Sequence, residues 1–172
     1  WTVNNNPLTD NVNRVIGHVE FTYDFFEWLN LNDRVGTDFY SDRREQYFAI
    51  GSRTVHTGRM REIDYFVRQF NEDLVLNFNR DVTDDIGVRA LLGHNRRSSS
   101  TNRLFVQGTG FTVPEFYHMS NTSSQITREE LLRSRDQALY AMVELAWMDQ
   151  FFLTLTGRNE WSTTLPEQNN SF

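Results

Sequence analysis

The residues that most often carry chemistry are spread too widely along this chain to form a catalytic or metal-binding pattern. Histidines at close spacing commonly build metal and acid–base sites, but the four in this sequence stand far apart: His18, His56, His94 and His118. No sequence motif frames a nucleophilic serine, and the chain has no cysteine. We therefore predict no catalytic residue, no metal site and no cofactor.

One group of carboxylates is closer together, in a predicted turn. Asp81, Asp84 and Asp85 supply oxygen atoms of the kind that bind Ca²⁺. Aspartate is also frequent in turns, because its side chain bonds to nearby backbone N–H groups. Turn chemistry is the simpler interpretation, and a calcium site is the alternative.

The composition limits the possible partners. The 172-residue chain has a net charge of −6, which argues against nucleic acid, because proteins that bind it usually carry a basic patch. The longest uninterrupted apolar run is Ala138–Val143, far short of the roughly 20 residues that a membrane-spanning helix requires. A membrane-spanning strand alternates apolar and polar residues, so this composition fits a soluble protein or a transmembrane barrel, and its length fits one domain.

Apolar and polar residues alternate with a period of two in six segments, which is the pattern of β-strands with two different faces. In one of them, Leu139, Val143 and Leu145 alternate with Tyr140 and Glu144. The prolines all lie outside these segments, as expected for paired strands. The predicted strands are Arg14–Tyr23, Leu29–Tyr40, Phe70–Phe78, Ile86–Asn95, Leu139–Trp147 and Phe151–Arg158.

The segment from Thr127 onward has a different local signal. Thr127 and Glu130 match the capping box of a helix N-terminus. We predict a short helix over Thr127–Arg133 within a loop, followed by a strand from about Gln137. A single helix over Thr127–Trp147 is the alternative.

The predicted connections alternate in length. Asp24–Trp28, Asn79–Asp85 and Met148–Gln150 are short, whereas 41–60 and 97–136 are long. Transmembrane barrels have short turns at one end and long loops at the other. Aromatic residues gather at the short turns, as in a membrane-interface girdle, although aromatics also favour strands in general: Tyr23, Phe25, Phe26, Trp28, Trp147, Phe151 and Phe152.

Residues Leu153–Pro166 read LTLTGRNEWSTTLP and closely resemble a signature of the SusC/RagA-like TonB-linked outer-membrane proteins of Bacteroidetes. Glu160 stands where Asp is common in that signature, and Thr163 stands where Ser is common. Trp1–Pro7, Asn13–Gly17 and Trp28–Leu29 also resemble mid-barrel segments of this family. The centre of the signature is Thr156, Gly157, Arg158, Asn159, Glu160 and Trp161.

This resemblance implies an all-β, antiparallel transmembrane barrel of roughly 22 strands with long extracellular loops. Residues 1–172 would supply about six of these strands as a partial barrel domain, without the plug domain, the TonB box or the barrel closure. The implied function is import of glycans or peptides across the bacterial outer membrane, with a SusD-like surface lipoprotein and the TonB complex as partners. A soluble all-β carbohydrate-binding module is the alternative function.

The resemblance also assigns an environment to each face of the strands. The polar face would line the lumen and contact substrate or plug, unless it only solvates the barrel wall: Asn30, Asn32, Arg34, Asp38, Asn71, Asp73, Asn77, Arg89, Asn95, Arg158 and Glu160. The other face would contact outer-membrane lipid: Val19, Phe21, Leu29, Leu31, Leu76, Val88, Ala90, Val143, Leu145, Leu153 and Leu155. Asp33, Arg68 and Glu72 interrupt this apolar face and are expected above the membrane, because charge within it is costly.

Two further groups lie in the predicted long loops and at their borders. Arginines that could bind lipopolysaccharide phosphates, or simply be solvated, are Arg43, Arg44, Arg96, Arg97 and Arg103. Aromatic residues that could stack on cargo, or pack against neighbouring loops, are Tyr47, Phe48, Phe105, Phe111, Phe116 and Tyr117.

Overall fold

The computed structural model describes residues 5–171. Trp1–Asn4, which belong to the Trp1–Pro7 segment noted above, and Phe172 lie outside this range. Within it the chain forms six strands: β1 (Leu8–Phe26), β2 (Leu29–Phe48), β3 (Arg59–Thr83), β4 (Ile86–Phe111), β5 (Thr122–Trp147) and β6 (Phe151–Ser162). Short 3₁₀ turns occur at Met119–Asn121 and Glu167–Asn169, and no helix in residues 5–171 is long and apolar enough to cross a membrane.

The strands form one antiparallel sheet in which each strand pairs with its neighbours in sequence, in the order β1-β2-β3-β4-β5-β6. The predicted all-β antiparallel fold is therefore confirmed. Neighbouring strands pair without any crossover, because the connections between them are short enough for hairpins.

The predicted helix over Thr127–Arg133 is wrong, and so is the alternative helix over Thr127–Trp147. Both ranges lie within strand β5. The capping-box pattern is a local preference, and pairing with β4 overrides it. Arg103 of β4 bonds across to Glu130 at 3.0 Å, so the residue expected to cap a helix makes a cross-strand ion pair instead.

The connections alternate in length as predicted, but the long ones are much shorter than expected. The β2–β3 and β4–β5 connections span residues 49–58 and 112–121, because the strands continue into the ranges predicted as loops. The short turns are residues 27–28, 84–85 and 148–150. In the last of these, Met148 and Asp149 both have positive φ, at 52° and 53°, and the Gln150 N–H donates to the Trp147 carbonyl at 3.1 Å, so these two residues form the centre of a tight turn.

The chain divides into two compact units. The first unit contains the described residues through Val15 together with Phe39–Arg68 and Ser100–Leu132, and it includes both long connections. The second unit contains Ile16–Asp38, Gln69–Ser99 and the described residues from Arg133 onward, and it includes the short turns.

The first unit has a small core beneath its long connections. Met60 and Phe111 are buried there, and Gly58 has a φ of 78° and lies against the Phe111 ring. A side chain at Gly58 would both strain this backbone and meet the ring at 2.3 Å. Ser52, which is 2% exposed, donates its hydroxyl to the Ala49 carbonyl at 2.7 Å. The connection 49–58 is thus held by its own hydrogen bonds and packing.

In the second unit, a tyrosine covers a glycine on the neighbouring strand. A Cβ atom built on Gly93 of β4 would lie 2.1 Å from Cζ of Tyr140 on β5. The ring of Tyr140 in turn lies under the Arg158 guanidinium, 5.5 Å from its Cζ. Gly93 therefore provides the space in which Tyr140 lies flat on the sheet.

We predict that Gly93→Ala lowers the free energy of unfolding by about 1–3 kcal/mol, because the added methyl group displaces Tyr140. The measurement is equilibrium unfolding in urea in the presence of detergent, because many large apolar residues are exposed. Gly157→Ala is the matched control, since nothing lies within 4 Å of a Cβ atom at that position. In a Tyr140→Ala background the cost of Gly93→Ala should disappear; an equal cost in both backgrounds would contradict the explanation.

Candidate functional site

The pairing of β5 with β6 separates two chemically different faces in the second unit. Val143 lies opposite Leu155 and Leu145 opposite Leu153, which places these apolar residues on one face. The intervening pairs, such as Glu144 opposite Thr154, belong to the other face. The period-two pattern predicted for these two strands therefore holds in the structure.

The apolar face of the second unit is open to the surroundings. Val19 is 74% exposed and Leu155 60% exposed, although both are aliphatic residues that normally become buried. Phe21, Val143, Leu145 and Leu153 are also exposed, whereas the remaining members of the predicted set are half-buried: Leu29, Leu31, Leu76, Val88 and Ala90. An exposed apolar surface of this kind marks a site of contact with an apolar partner, such as another protein surface or a membrane.

Aromatic rings meet at the short-turn end of the second unit, where the sequence places them. Trp147 and Phe151 stack with their centroids 5.5 Å apart, and Phe26 stacks on Trp28 at 4.8 Å. Trp28 also makes an edge contact with Phe78 at 5.3 Å. Further along the same face, Trp161 lies opposite Gln137, so rings occur at both ends of the apolar stretch of β6.

The polar face of the second unit is joined by hydrogen bonds between neighbouring strands. Asn77 donates to Asn30 at 2.9 Å, and Thr22 donates to Asn32. Asn95 donates to Asp73. These bonds connect β1, β2, β3 and β4, so the amides predicted for the lumen lie together on one face.

The charged members of this set also meet polar partners. Arg89 bonds to Glu144 at 3.0 Å, and Arg158 bonds to Glu160. Asn71 accepts from Nε of Arg97 at 3.3 Å. Whether these groups contact a substrate or a plug stays a prediction.

A cavity of about 420 Å³ opens on this polar face around Gly36. Its lining includes His18, Arg34, Asp38, Asn71 and Arg97. The sequence did not indicate that Gly36 belongs to a site, because a single glycine in a strand occurs for several structural reasons. Its position among polar residues is visible only once the neighbouring strands are paired.

The first unit contains an arginine–aromatic cluster that the sequence did not indicate. Asp42, which is 6% exposed, bonds to Arg44 at 2.6 Å. The guanidinium carbons of Arg44 and Arg103 lie 5.2 Å and 5.9 Å from the Tyr65 ring centroid. No signal could have identified this cluster beforehand, since its members come from three strands.

The arginines predicted to bind lipopolysaccharide have carboxylate partners in several cases. Arg43 lies 2.9 Å from Glu45, 3.5 Å from Glu62 and 4.0 Å from Asp64, and the Glu45 carboxylate raises the pKa of Arg43. Arg44 and Arg103 pair with Asp42 and Glu130 as described above. Contact with phosphates stays a prediction, and these pairs weaken the case for Arg43, Arg44 and Arg103.

Most of the loop-region aromatics pack against neighbours. Tyr117 contacts Tyr47 at 5.3 Å and Phe111 at 5.6 Å between centroids, and Arg59 lies 4.5 Å from the Phe48 centroid. Burial lowers the pKa of Arg59. Phe116 is an exception, because it is 52% exposed and stacks only loosely on His118 at 5.8 Å.

The charges on the apolar face have different surroundings. Arg68 lies 5.6 Å from the Phe66 centroid and is exposed. Glu72 is half-buried, while Oδ1 of Asp33 is enclosed without a hydrogen-bond partner among residues 5–171. Their position relative to a membrane stays a prediction.

The aspartates of the predicted acidic turn lie around one cavity. Asp81, Asp84 and Asp85 line an open cavity of about 760 Å³ together with Asp149. In the described part of the chain, no three His, Cys, Asp or Glu side chains are arranged to hold a metal ion. The calcium alternative therefore gains no support from these residues, and turn formation stays the simpler interpretation.

Solved structures share this fold. No family model matches the sequence, and no curated protein does either. A chain of the RagAB peptide transporter matches with a TM-score of 0.90 and 12% identity, over 98% of this chain and 19% of the other. The RagAB peptide importer matches at 0.90 and 12% in its closed–closed state, and at 0.88 and 14% in its open–open state, covering 20% and 19% of those chains.

The chain thus spans about a fifth of the length of the solved chains that it matches. At this level of identity the comparison shows a shared fold. It agrees with the resemblance to the SusC/RagA-like family that the signature Thr156–Trp161 indicates.

Tyr47 provides a pH-dependent test of the first unit. Burial, with a 2.7 Å hydrogen bond from its hydroxyl to Glu45, raises the pKa of Tyr47 to about 12. The neutral phenol therefore favours the folded state below about pH 10, and this contribution is lost as the pH rises through 12. We predict that Glu45→Gln lowers the pKa of Tyr47 towards 10 without reaching it, because burial remains.

The measurement is a phenolate absorbance titration, taken as the difference between each protein and its Tyr47→Phe counterpart. Glu129→Gln serves as the control, since it removes a carboxylate elsewhere in the same unit. An unchanged Tyr47 pKa in Glu45→Gln would show that the Glu45 carboxylate does not raise the pKa of Tyr47.

Proposed function

We propose that these strands form part of the barrel wall of an outer-membrane, TonB-dependent transporter that imports peptides or glycans with a SusD-like surface lipoprotein. The observation that carries this proposal is the exposed apolar face of the second unit, opposite a hydrogen-bonded polar face. In water such a face would be unfavourable, whereas in a lipid bilayer it is required.

The length of this face fits a membrane. On β6 the rings of Phe151 and Trp161 are ten residues apart, which corresponds to about 33 Å along the strand. A barrel strand tilted by about 40° would project this distance onto roughly 25 Å, the height of the apolar band in transmembrane barrels. Aromatic residues at the two ends would then lie at the two interfaces.

The opposite face supports a lumen. Amide and charged side chains cover it, and a polar lumen is typical of barrels that admit water or hold a plug. The shared fold with RagAB peptide transporter chains supports a transport function and favours peptides as cargo. The lipoprotein and TonB partners rest on the resemblance of the signature Thr156–Trp161.

The alternative of a soluble carbohydrate-binding sandwich has little support. A sandwich buries its apolar face against a second sheet. Residues 5–171 form a single sheet, and the apolar face of its second unit stays exposed.

Lipid accessibility tests the proposal directly. Residues 1–172 contain no cysteine, so single cysteines can be introduced there in the full-length protein, with any cysteine elsewhere replaced by serine, and labelled with a nitroxide. In lipid bilayers, labels at Val143 and Leu155 should be accessible to oxygen and protected from a water-soluble nickel complex. Labels at Met142 and Thr154, on the other face, are the matched controls and should show the reverse. The same accessibility at all four positions would reject the proposal.

A second prediction concerns residues 1–172 expressed alone without detergent. We expect aggregation, because the apolar face would be exposed to water and the outer edges of β1 and β6 offer unpaired backbone groups. Size-exclusion chromatography with light scattering measures the outcome. A monodisperse monomer that unfolds cooperatively would overturn the transporter proposal and restore the soluble module.

A further inference from the structure

The cavity around Gly36, of about 420 Å³, lies on the polar face at a position where β2 carries no side chain. His18 and Asn71 line it from the neighbouring strands β1 and β3. A Cβ atom added to Gly36 would meet only Cβ of His18 at 3.7 Å and the Gly17 carbonyl at 3.8 Å, which are ordinary contacts. The backbone therefore does not require glycine at position 36. Because glycine has no side chain, it leaves space on this face.

Two arginines border this space with donors that the rest of the site does not use. Arg34 is 58% exposed and lies 3.7 Å from Asp73, too far for a hydrogen bond, while Asp73 already accepts from Asn95. Arg97 engages Asn71 through Nε alone, at 3.3 Å. Among residues 5–171, the terminal nitrogens of both guanidinium groups thus have no protein acceptor at hydrogen-bonding distance.

We propose that this cavity is a carboxylate-binding site in which Arg34 and Arg97 donate to the two oxygens of the ligand. The planar guanidinium group matches a carboxylate, and two acceptor oxygens suit two donors on different strands. Asp38 and Asp73 also line the cavity, so a multiply charged anion such as phosphate is disfavoured relative to a single carboxylate. Gly36 leaves the volume in which the carboxylate and its attached carbons fit.

The carboxylate has two sources, and the site chemistry is the same for both. It could belong to a segment of the same protein held inside the barrel, or to a free ligand such as the end of a peptide. The inference rests on the proposed function, because that proposal places this face towards a lumen.

Arginine footprinting of the full-length protein in lipid bilayers tests the site. Phenylglyoxal modifies accessible guanidinium groups, and mass spectrometry gives the rate at Arg34, Arg97 and Arg89. Arg89 is the internal control, because it is similarly exposed, at 66%, but pairs with Glu144 outside the cavity. The probes are N-acetyl-alanyl-alanine and its C-terminal amide, with sodium chloride at equal concentration as the ionic-strength control.

A free-ligand site predicts that the peptide acid slows modification of Arg34 and Arg97 but not of Arg89, and that the amide has no effect. At about ten times the Kd, the rate should fall roughly ten-fold, since about one site in eleven stays empty. A segment of the same protein predicts slow modification of Arg34 and Arg97 before any addition. In both cases Gly36→Gln, which places a side chain in the cavity and keeps both arginines, should remove the protection.

Equal rates at all three arginines with and without the peptide acid would overturn the inference, as would equal protection by the amide. The nitroxide measurement reports separately on the transporter proposal. If the labels at Val143 and Leu155 face lipid but Arg34 and Arg97 are not protected, the carboxylate site is rejected and the transporter proposal stands. Water-accessible labels reject the barrel wall, whatever the arginines show.

Discussion

Backbone pairing between antiparallel strands is the constraint on which the rest of this structure depends. Once Val143 is opposite Leu155, the period of two assigns every side chain of β5 and β6 to a face. A slip of one residue would bring Arg158 to the apolar face and Leu155 to the polar one. Because the two faces of the second unit differ in chemistry, such a slip is costly, and the sequence pattern specifies one register.

The polar face follows from the same pairing. The ion pair of Arg89 and Glu144 joins β4 to β5, whereas Arg158 and Glu160 pair within β6. These pairs are largely exposed, and each contributes only about 0–1 kcal/mol. Their main consequence is therefore to orient side chains into a continuous hydrogen-bonding surface. The surroundings of Gly36 differ from these paired positions. There, two guanidinium groups border a space that no side chain of residues 5–171 fills.

The strands and their faces were predictable because alternation is a local property of the sequence. Strand ends were not, since β4 and β5 extend through the range predicted as a loop by pairing with each other. Thr127 and Glu130 show why: their helix signal is local, whereas the Arg103 partner of Glu130 is 27 residues away. The Tyr65 cluster and the Gly36 cavity were unpredictable for the same reason, because both are assembled from several strands.

The signature that carries the family resemblance has a physical explanation in this register. Its even-numbered members continue the polar face opposite Met142, Tyr140 and Ala138, while its odd-numbered members lead the apolar face from Gly157 to Trp161. Directly after it, the backbone of Ser162 donates to Asn170 and the chain turns. The signature therefore ends the aliphatic part of the apolar face, places the Trp161 ring on that face and ends strand β6. Each task restricts the residue type at its position.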